Sequence, residues 1–230
     1  MKSERVKTGI KNFDKLVKGF RKNSVNLIAG GAGSGKTIFG LQFLMEGLKD
    51  GEGAIYLTFD GKREEVYADM LTIGLDFEKY EKKGRFAFIE TPPEQVKRWI
   101  NEGGGEIEEI INDVKATRIV VDNIESFALL YPNELAKKEA AISLFGILKG
   151  LGCTSVITVE ALEGDGPSTH LELETEVDSI ILLYHIREKG VRKRGIEFLK
   201  MRGTKTPEKT LALEITPKGL QINLKKTLEL

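Results

Sequence analysis

Residues 30–37 form the segment of this chain that is best equipped for chemistry. Their sequence, GGAGSGKT, matches the pattern G-x-x-x-x-G-K-[ST] at every fixed position. The glycines let the backbone curl so that successive N–H groups can point at phosphate oxygens. Lys36 is expected to reach the β- and γ-phosphates, and the Thr37 hydroxyl is expected to ligate Mg²⁺. The pattern therefore predicts a phosphate-binding loop, or P-loop, that holds ATP or ADP with Mg²⁺.

The elements on either side of this loop are those that its mechanism requires. Residues 24–29 (SVNLIA) predict a buried strand, and residues 36–49 carry an apolar stripe at the helical period. A helix that begins at the end of the loop adds its positive N-terminal end to the phosphate site. The predicted nucleotide contacts are Gly31, Ala32, Gly33, Ser34, Gly35, Lys36, Thr37 and Ile38.

An aspartate supplies the second half of the predicted metal site. Residues 118–122 (RIVVD) form an apolar segment that predicts a strand ending at Asp122. In a P-loop protein, an acid at the end of such a strand completes the Mg²⁺ site, directly or through water. We predict that Asp122 joins Thr37 as a metal ligand. The alternative is that Asp122 is an ordinary turn or cap residue.

Short apolar runs alternate with amphipathic stretches through most of the chain, which predicts an α/β fold with a mainly parallel central sheet. After residue 159 the helical pattern stops, and turn signals separate four further strands that begin at residue 178, so we expect an antiparallel, β-rich C-terminal part within one domain, residues 1–230. Three glycines at 103–105 should interrupt a helical stretch. The remaining predicted strands are 54–59, 86–89, 154–159, 178–186, 195–201, 211–215 and 220–222, and the remaining helices are 63–73 and 135–149.

The composition favours a soluble globular protein and gives no general support for nucleic-acid binding. Hydrophobic residues make up 40% and charged residues 30%, and the formal net charge is +0, whereas general nucleic-acid binders are usually basic. The single cysteine cannot form an internal disulfide, which fits a reducing cytoplasm. The N-terminus has no apolar signal segment, and no apolar run is long enough to span a bilayer. We therefore expect a cytoplasmic protein without a membrane partner.

Three further stretches resemble the KaiC-like ATPases of the RecA superfamily, which are related to the archaeal RadA paralogues. Residues 6–10 (VKTGI), with Phe13-Asp14 after them, are similar to the S-T-G-I-x-x-[FL]-D start of that family. Residues 75–80 (LDFEKY) resemble its G-x-D-[LF]-E-x-Y segment. Residues 198–204 (FLKMRGT) and the LEIT that follows resemble its K-M-R-G-T … F-E-I tail. The resemblance implies a RecA-like P-loop NTPase core, ATPase activity and ATP bound at a subunit boundary.

The same resemblance implies roles for three more side chains. Lys200 and Arg202 would act on the nucleotide of a neighbouring subunit in a homo-oligomer, a hexameric ring or a filament, where such cations stabilise charge on the transferred phosphoryl group. Without the resemblance they would be two solvated charges on one face of a strand. Thr158 resembles the polar sensor that contacts the γ-phosphate or its attacking water. An ordinary strand threonine is the alternative, and Glu160 is close enough to replace it as sensor.

The chain departs from the family at the acid that activates the attacking water. KaiC-like ATPases typically carry T-F-E-E after the second strand, whereas this chain has TFDG at residues 58–61. Asp60 aligns with the first glutamate of that motif, and its side chain is one methylene shorter. Because small misplacements carry large rate costs, we predict slow hydrolysis with Asp60 as the catalytic base. Glu64 and Glu65 are alternative bases, or they serve as charges in the first turn of the next helix.

Several function classes stay open at this point. The first is a slow ATPase whose nucleotide state controls assembly, and the second is a nucleotide-dependent regulatory or scaffold protein with little or no turnover. The third is an accessory factor in recombination or repair that binds single-stranded DNA or recombination proteins. The basic residues within 187–194 are a candidate DNA contact, with an acidic partner or an ordinary solvated turn as the alternatives, whereas residues 160–176, which are acidic and contain no Lys or Arg, oppose DNA binding. A P-loop nucleotide kinase would need an Arg-rich lid, and the β-rich C-terminal part argues against it.

Overall fold

The computed structural model of the chain describes residues 4–160 and 173–229. The strands in these ranges are β1 (Arg5–Val6), β2 (Phe20–Arg21), β3 (Val25–Gly30), β4 (Gly53–Thr58), β5 (Phe86–Glu90), β6 (Ala116–Asp122), β7 (Thr154–Val159), β8 (Ser179–Glu188), β9 (Val191–Met201), β10 (Leu211–Thr216) and β11 (Gly219–Thr227). The helices there are α1 (Phe13–Val17), α2 (Lys36–Lys49), α3 (Arg63–Thr72), α4 (Glu78–Glu81), α5 (Pro93–Asn101), α6 (Glu106–Val114), α7 (Ile124–Ala128) and α8 (Glu134–Gly150).

One large mixed sheet organises these elements. Its nine strands lie in the order β11-β10-β9-β8-β3-β7-β6-β4-β5. The strands from β5 to β8 pair in parallel, and those from β8 to β11 pair antiparallel. The predicted fold class, a mainly parallel sheet with an antiparallel C-terminal part, is therefore confirmed. Because the carboxyl ends of parallel strands meet at one edge, the segments that follow β3, β4, β6 and β7 converge there.

Helices cover both faces of the sheet, which explains why its central strands are apolar along their whole length. Every residue of β3, β4 and β7 is buried, as expected for parallel strands between two helix layers. One core packs α1 to α4 against the first face and includes the clustered rings of Phe13, Phe20 and Phe39. The other core packs α5 to α8 against the second face and includes Trp99 and Phe145.

The structure extends the predicted C-terminal strands and confirms the predicted helix break. The two strands predicted at 178–186 and 195–201 form a longer hairpin, β8 and β9, whose turn contains Lys189 and Gly190, with φ of 47° and 83°. Helix α5 ends at Asn101 and α6 begins at Glu106, so the glycines at 103–105 do interrupt the helical stretch. Three helices were not predicted, α1, α4 and α7, because four or five residues are too few to show a helical period.

In the part of the chain that the structure describes, no helix has the length and apolar character needed to cross a membrane.

An ion pair between a buried arginine and a partly exposed glutamate fastens β6 to the surrounding layer. Arg118 is only 1% exposed, and its guanidinium makes two hydrogen bonds of 2.8 Å to the carboxylate of Glu52. Its third nitrogen donates to the backbone carbonyls of Lys7 at 2.7 Å and Phe43 at 2.9 Å. A side chain at Gly47 would collide with the guanidinium, so the missing Cβ makes room for it. One side chain thus joins β6, α2, the N-terminal segment and the residue that precedes β4.

Acid should weaken this ion pair in a measurable way. The hydrogen bond from Arg118 holds the pKa of Glu52 below its ordinary value of 4.5. The folded state therefore binds fewer protons than the unfolded state, so the contribution to stability is complete above pH 4.5 and is lost as the pH falls from there through the folded-state pKa. We expect the difference in free energy of unfolding between the wild type and Glu52→Gln, measured by urea unfolding, to stay constant from pH 7 down to pH 4.5 and to shrink below pH 4.5. A difference in free energy of unfolding that stays constant down to the lowest pH at which both proteins fold would contradict this expectation.

Glu78→Gln is the matched control for that experiment. Glu78 pairs with Lys82 at 2.7 Å, but both side chains are more than half exposed. Exposed i,i+4 pairs contribute little to stability because solvent screens their charges. The control should therefore differ little from the wild type at any pH.

Candidate active site

The P-loop connects the end of β3 to the start of α2. Gly33 and Gly35 have φ of 70° and 108°, in the left-handed region that favours glycine. A side chain at Gly30 would crowd the backbone carbonyl of Leu183 and the hydroxyl of Ser34. Helix α2 has 14 residues, and its first N–H groups have no acceptor within the helix. The local geometry is therefore that of an anion site at a helix N-terminus.

Two polar groups of the loop are available to an anion. Among the residues that the structure describes, the Ser34 hydroxyl is buried without a hydrogen-bond partner. A buried polar group left unsatisfied is costly, and a phosphate oxygen would satisfy this one. The Lys36 ammonium lies against its own loop and donates to the carbonyls of Gly30 at 2.6 Å and Gly31 at 3.1 Å. The loop therefore fits a nucleotide phosphate, which would draw the ammonium away from these carbonyls.

Thr37 and Asp122, the two predicted metal ligands, are in direct contact. Asp122 is 8% exposed at the end of β6, and its Oδ2 accepts a hydrogen bond of 2.8 Å from the Thr37 hydroxyl. The residues lie 85 positions apart in sequence. Hydroxyl and carboxylate oxygens are ligands that Mg²⁺ takes in proteins, so this pair fits the predicted ion.

Two buried hydroxyls hold the Asp122 carboxylate in place. Tyr56 donates to Oδ2 at 2.7 Å, and Thr158 donates to Oδ1. Burial, with a smaller effect of the Asp122 charge, raises the pKa of Tyr56 well above its ordinary value, so its hydroxyl stays a donor at neutral pH. The sequence interpretation missed Tyr56, for which the only signal was a phenol within an otherwise apolar strand. Thr158 is brought to the site as predicted, but its contact is with the acid, and its role as a sensor stays a prediction.

Asp60 lies in the exposed loop after β4, at the same edge of the sheet. Its Oδ2 accepts a hydrogen bond of 2.8 Å from the hydroxyl of Ser126 on α7. Ser126 was not singled out from the sequence, because α7 itself was not predicted. Glu64 and Glu65 lie exposed in the first turn of α3, and their role as alternative bases or as helix charges stays a prediction.

The β8–β9 hairpin also contacts the P-loop. His185 and Arg194 are cross-strand partners. The Nδ1 atom of His185 is 3.4 Å from the carbonyl oxygen of Ala32, and Nε of Arg194 donates to the carbonyl of Gly33 at 2.9 Å. The sequence interpretation named Arg194 only as part of a basic cluster and attached no role to His185. No local pattern indicates either contact, because both depend on β8 pairing with β3.

Lys200 and Arg202 lie at the opposite edge of the sheet from the P-loop of their own chain. Because β9 runs antiparallel to β8, its Arg194 end is at the P-loop, and Lys200 lies six residues further on, about 20 Å at a strand rise of ~3.3 Å per residue. Lys200 donates to the carbonyl of Glu174 at 2.6 Å, and Arg202 donates to that of Thr175 at 2.8 Å. Burial and the neighbouring Arg202 charge lower the pKa of Lys200. The two cations therefore stay together but are not brought to the other predicted site residues.

This fold and site define a P-loop NTPase with a RecA-like α/β core. The chain belongs to the KaiC ATPase family, whose model, described as "ATPase: KaiC", matches residues 6–227. It is 34% identical over 242 residues to the UPF0273 protein PH0284 of Pyrococcus horikoshii, covering 99% of this chain and 97% of that protein. It is 31% identical to the circadian clock protein KaiC3 of Synechocystis sp., with 87% of this chain covered but only 42% of KaiC3.

A solved structure supports the same family. The KaiC-like protein PH0186 of Pyrococcus horikoshii superposes with a TM-score of 0.85 at 31% sequence identity. The match covers 96% of this chain and 99% of that protein. The family resemblance that the sequence motifs indicated is thereby confirmed.

Proposed function

We propose that this chain binds ATP with Mg²⁺ and hydrolyses it slowly to ADP and phosphate. The observation that carries the proposal is the contact between Thr37 and Asp122 beside the lysine of an intact P-loop. Mg²⁺ held by these two residues would neutralise charge that develops on the phosphates. Residues 31–38 would bind the nucleotide within a single ATPase domain, residues 1–230, which we place in the cytoplasm.

The proposed slow turnover follows from the acid at the site. Asp60 is the residue that we assign to the attacking water, and Ser126 holds one of its oxygens through the hydrogen bond described above. The aspartate is shorter than the glutamate of the family motif, and its loop is exposed to solvent. Both features weaken the orientation of a water molecule, which reduces rate more than it reduces ATP binding.

The site is proposed to be completed by a second copy of the chain. Lys200 and Arg202 lie too far along β9 to reach the P-loop of their own chain, which supports a role on the nucleotide of a neighbour. Such an arrangement needs a homo-oligomer with head-to-tail contacts, closed into a hexameric ring or extended into a filament. Turnover per chain should then rise with protein concentration.

A mixing experiment tests this arrangement. Lys36→Ala damages the nucleotide-binding face of a chain but keeps the face that presents Arg202 to the neighbouring chain. Arg202→Ala damages that second face and keeps the nucleotide-binding face. Each variant alone should be inactive, but an equimolar mixture should regain up to about a quarter of wild-type phosphate release, since random assembly pairs the two intact sides at one boundary in four. The control is a mixture of Lys36→Ala with Asp122→Asn, which damage the same side and should show no recovery. Failure of the first mixture to recover, with both variants folded, would contradict the shared site.

A regulatory or scaffold protein with little turnover is the second candidate. It is favoured by the exposed Asp60 and by Gly61, which leave the loop after β4 with a single short acid. Tight ATP binding without phosphate release at any protein concentration would support it in place of the ATPase.

Binding of single-stranded DNA or recombination proteins has less support. Arg187, Lys189 and Arg192 surround the turn of the β8–β9 hairpin, but Arg194 of the same cluster is engaged with the P-loop. The acidic residues that oppose DNA binding include Glu163, Asp165 and Glu172, which lie outside the described residues. Salt-dependent binding of single-stranded DNA, lost when Arg192 is neutralised, would favour this role.

A further inference from the structure

Glu125 is an acid near the site that the sequence interpretation did not consider. It lies in the first turn of α7, three residues after Asp122. Its Oε1 accepts a hydrogen bond from the backbone N–H of Glu160. Its Oε2 is buried and has no hydrogen-bond partner among the residues that the structure describes. A buried carboxylate oxygen without a donor is costly, so its presence calls for an explanation.

The surroundings of Glu125 place it on the phosphate side of the sheet. The next residue, Ser126, holds Asp60, so α7 brings two carboxylates to the same edge. Glu160 directly follows β7, the strand that pairs with both β3 and β6. The P-loop, Glu125 and Glu160 therefore follow the carboxyl ends of three adjacent strands, β3, β6 and β7, and Asp122 is the last residue of β6.

The charged groups that act on Glu125 are consistent with a proton acceptor. Burial raises the pKa of Glu125 above its ordinary value, and backbone hydrogen bonds offset part of that rise. Smaller effects come from the charge of Glu160, which raises the pKa, and from the charge of Lys36 on α2, which lowers it. A general base works best when its pKa lies nearer the working pH than that of a solvated carboxylate.

We propose that Glu125 is the general base that takes the proton of the attacking water, while Asp60 orients that water. This proposal rests on the ATP hydrolysis proposed above. The water oxygen forms a bond to the γ-phosphorus as the bond from that phosphorus to the β,γ-bridging oxygen breaks. The electron pair of the broken bond stays with ADP, and the proton passes to Oε2 of Glu125 and then to the released phosphate. Glu125 thus supplies a second carboxylate from α7, where the loop after β4 has only Asp60.

The variant Glu125→Gln separates this role from a structural one. A glutamine side chain has the same shape, and its amide oxygen can still accept the hydrogen bond from the N–H of Glu160. It cannot take a proton from water. We expect phosphate release under saturating ATP to fall by ~10²–10⁴-fold, with the Kd for ATP changed less than about threefold and no loss of thermal stability.

Glu94→Gln is the matched control. Like Glu125, Glu94 lies in the first turn of a helix, but it is exposed on α5 and has no part in the proposed site, so its replacement should leave turnover, ATP binding and stability unchanged. The measurements are single-turnover phosphate release, calorimetric titration with ATP and Mg²⁺, and thermal unfolding, on the full chain.

The outcomes distinguish this inference from the proposed function. If the wild type releases phosphate, Lys36→Ala does not, and Glu125→Gln matches the wild type, Glu125 is not the base while the ATPase stands. If Glu125→Gln loses ATP binding together with turnover, Glu125 belongs to binding or folding and the inference is also wrong. A wild type without any phosphate release would overturn both.

Discussion

Lys36→Ala is expected to remove the stabilisation that ATP gives this chain. It is also expected to reduce phosphate release by ~10²–10³-fold, the usual cost of deleting one group that stabilises charge on the oxygens of the reacting centre. The ammonium is at the first residue of α2 and reaches the two carbonyls at the start of the loop. A bound nucleotide would draw it from these carbonyls to the β- and γ-phosphates. Alanine leaves the loop glycines intact, so the change addresses charge and not loop geometry.

Thermal unfolding with and without ATP and Mg²⁺ measures the first half of this prediction. A ligand at 100 times its Kd stabilises the folded state by about 2.7 kcal/mol, which appears as a rise in Tm. The rise should be present in the wild type and in Lys225→Ala, whose lysine is exposed on β11, and absent in Lys36→Ala. An equal rise in Tm for all three proteins would contradict ATP binding at this loop.

Arg118→Ala should destabilise the fold by about 3 kcal/mol, the lower end of the cost of breaking a buried ion pair, because the Glu52 side chain that loses its partner is 31% exposed. Alanine would leave the Glu52 carboxylate without its guanidinium and the carbonyls of Lys7 and Phe43 without their donor. It would also leave a void beside Gly47, since that glycine provides the space that the guanidinium fills. A loss of this size is a large part of the 5–15 kcal/mol that typically stabilises a domain.

Urea unfolding at neutral pH measures this loss, with Arg63→Ala as the control. Arg63 also pairs with a glutamate, Glu81, but its side chain is 46% exposed, and exposed pairs contribute about 0–1 kcal/mol. The two variants remove the same side chain from an ion pair in two different settings. If Arg118→Ala cost no more than Arg63→Ala, burial of the pair would not be what makes Arg118 important.

The sequence predicts those parts of the site whose residues are neighbours along the chain. The P-loop, the strand before it and the helix after it were all predicted, because glycine positions, apolar runs and a 3.6-residue period are local signals. Helix α2 begins and ends at the predicted residues 36 and 49. Asp122 was predicted because a polar residue at the end of an apolar strand is visible without knowing which strand lies beside it.

The sequence does not predict the contacts that depend on which strands lie side by side in the sheet. Tyr56 contacts Asp122 across 66 residues, and Arg194 contacts Gly33 across 161 residues. Helix α7, which brings Ser126 to Asp60 and carries Glu125, is too short to show a period. These residues look unremarkable in sequence, since each is an ordinary member of a strand or a short helix.

The amino-acid sequence by itself determined the phosphate loop, the order of the longer strands and helices along the chain, and the family motifs. Only the tertiary structure decided that β4, β6, β7 and β3 are adjacent, that Tyr56 and Thr158 hold the carboxylate of Asp122, and that Lys200 lies away from the P-loop of its own chain. The physical reason is that periodicity and turn residues encode local conformation. Strand order is decided by the burial of both sheet faces under helices, which depends on the whole chain at once.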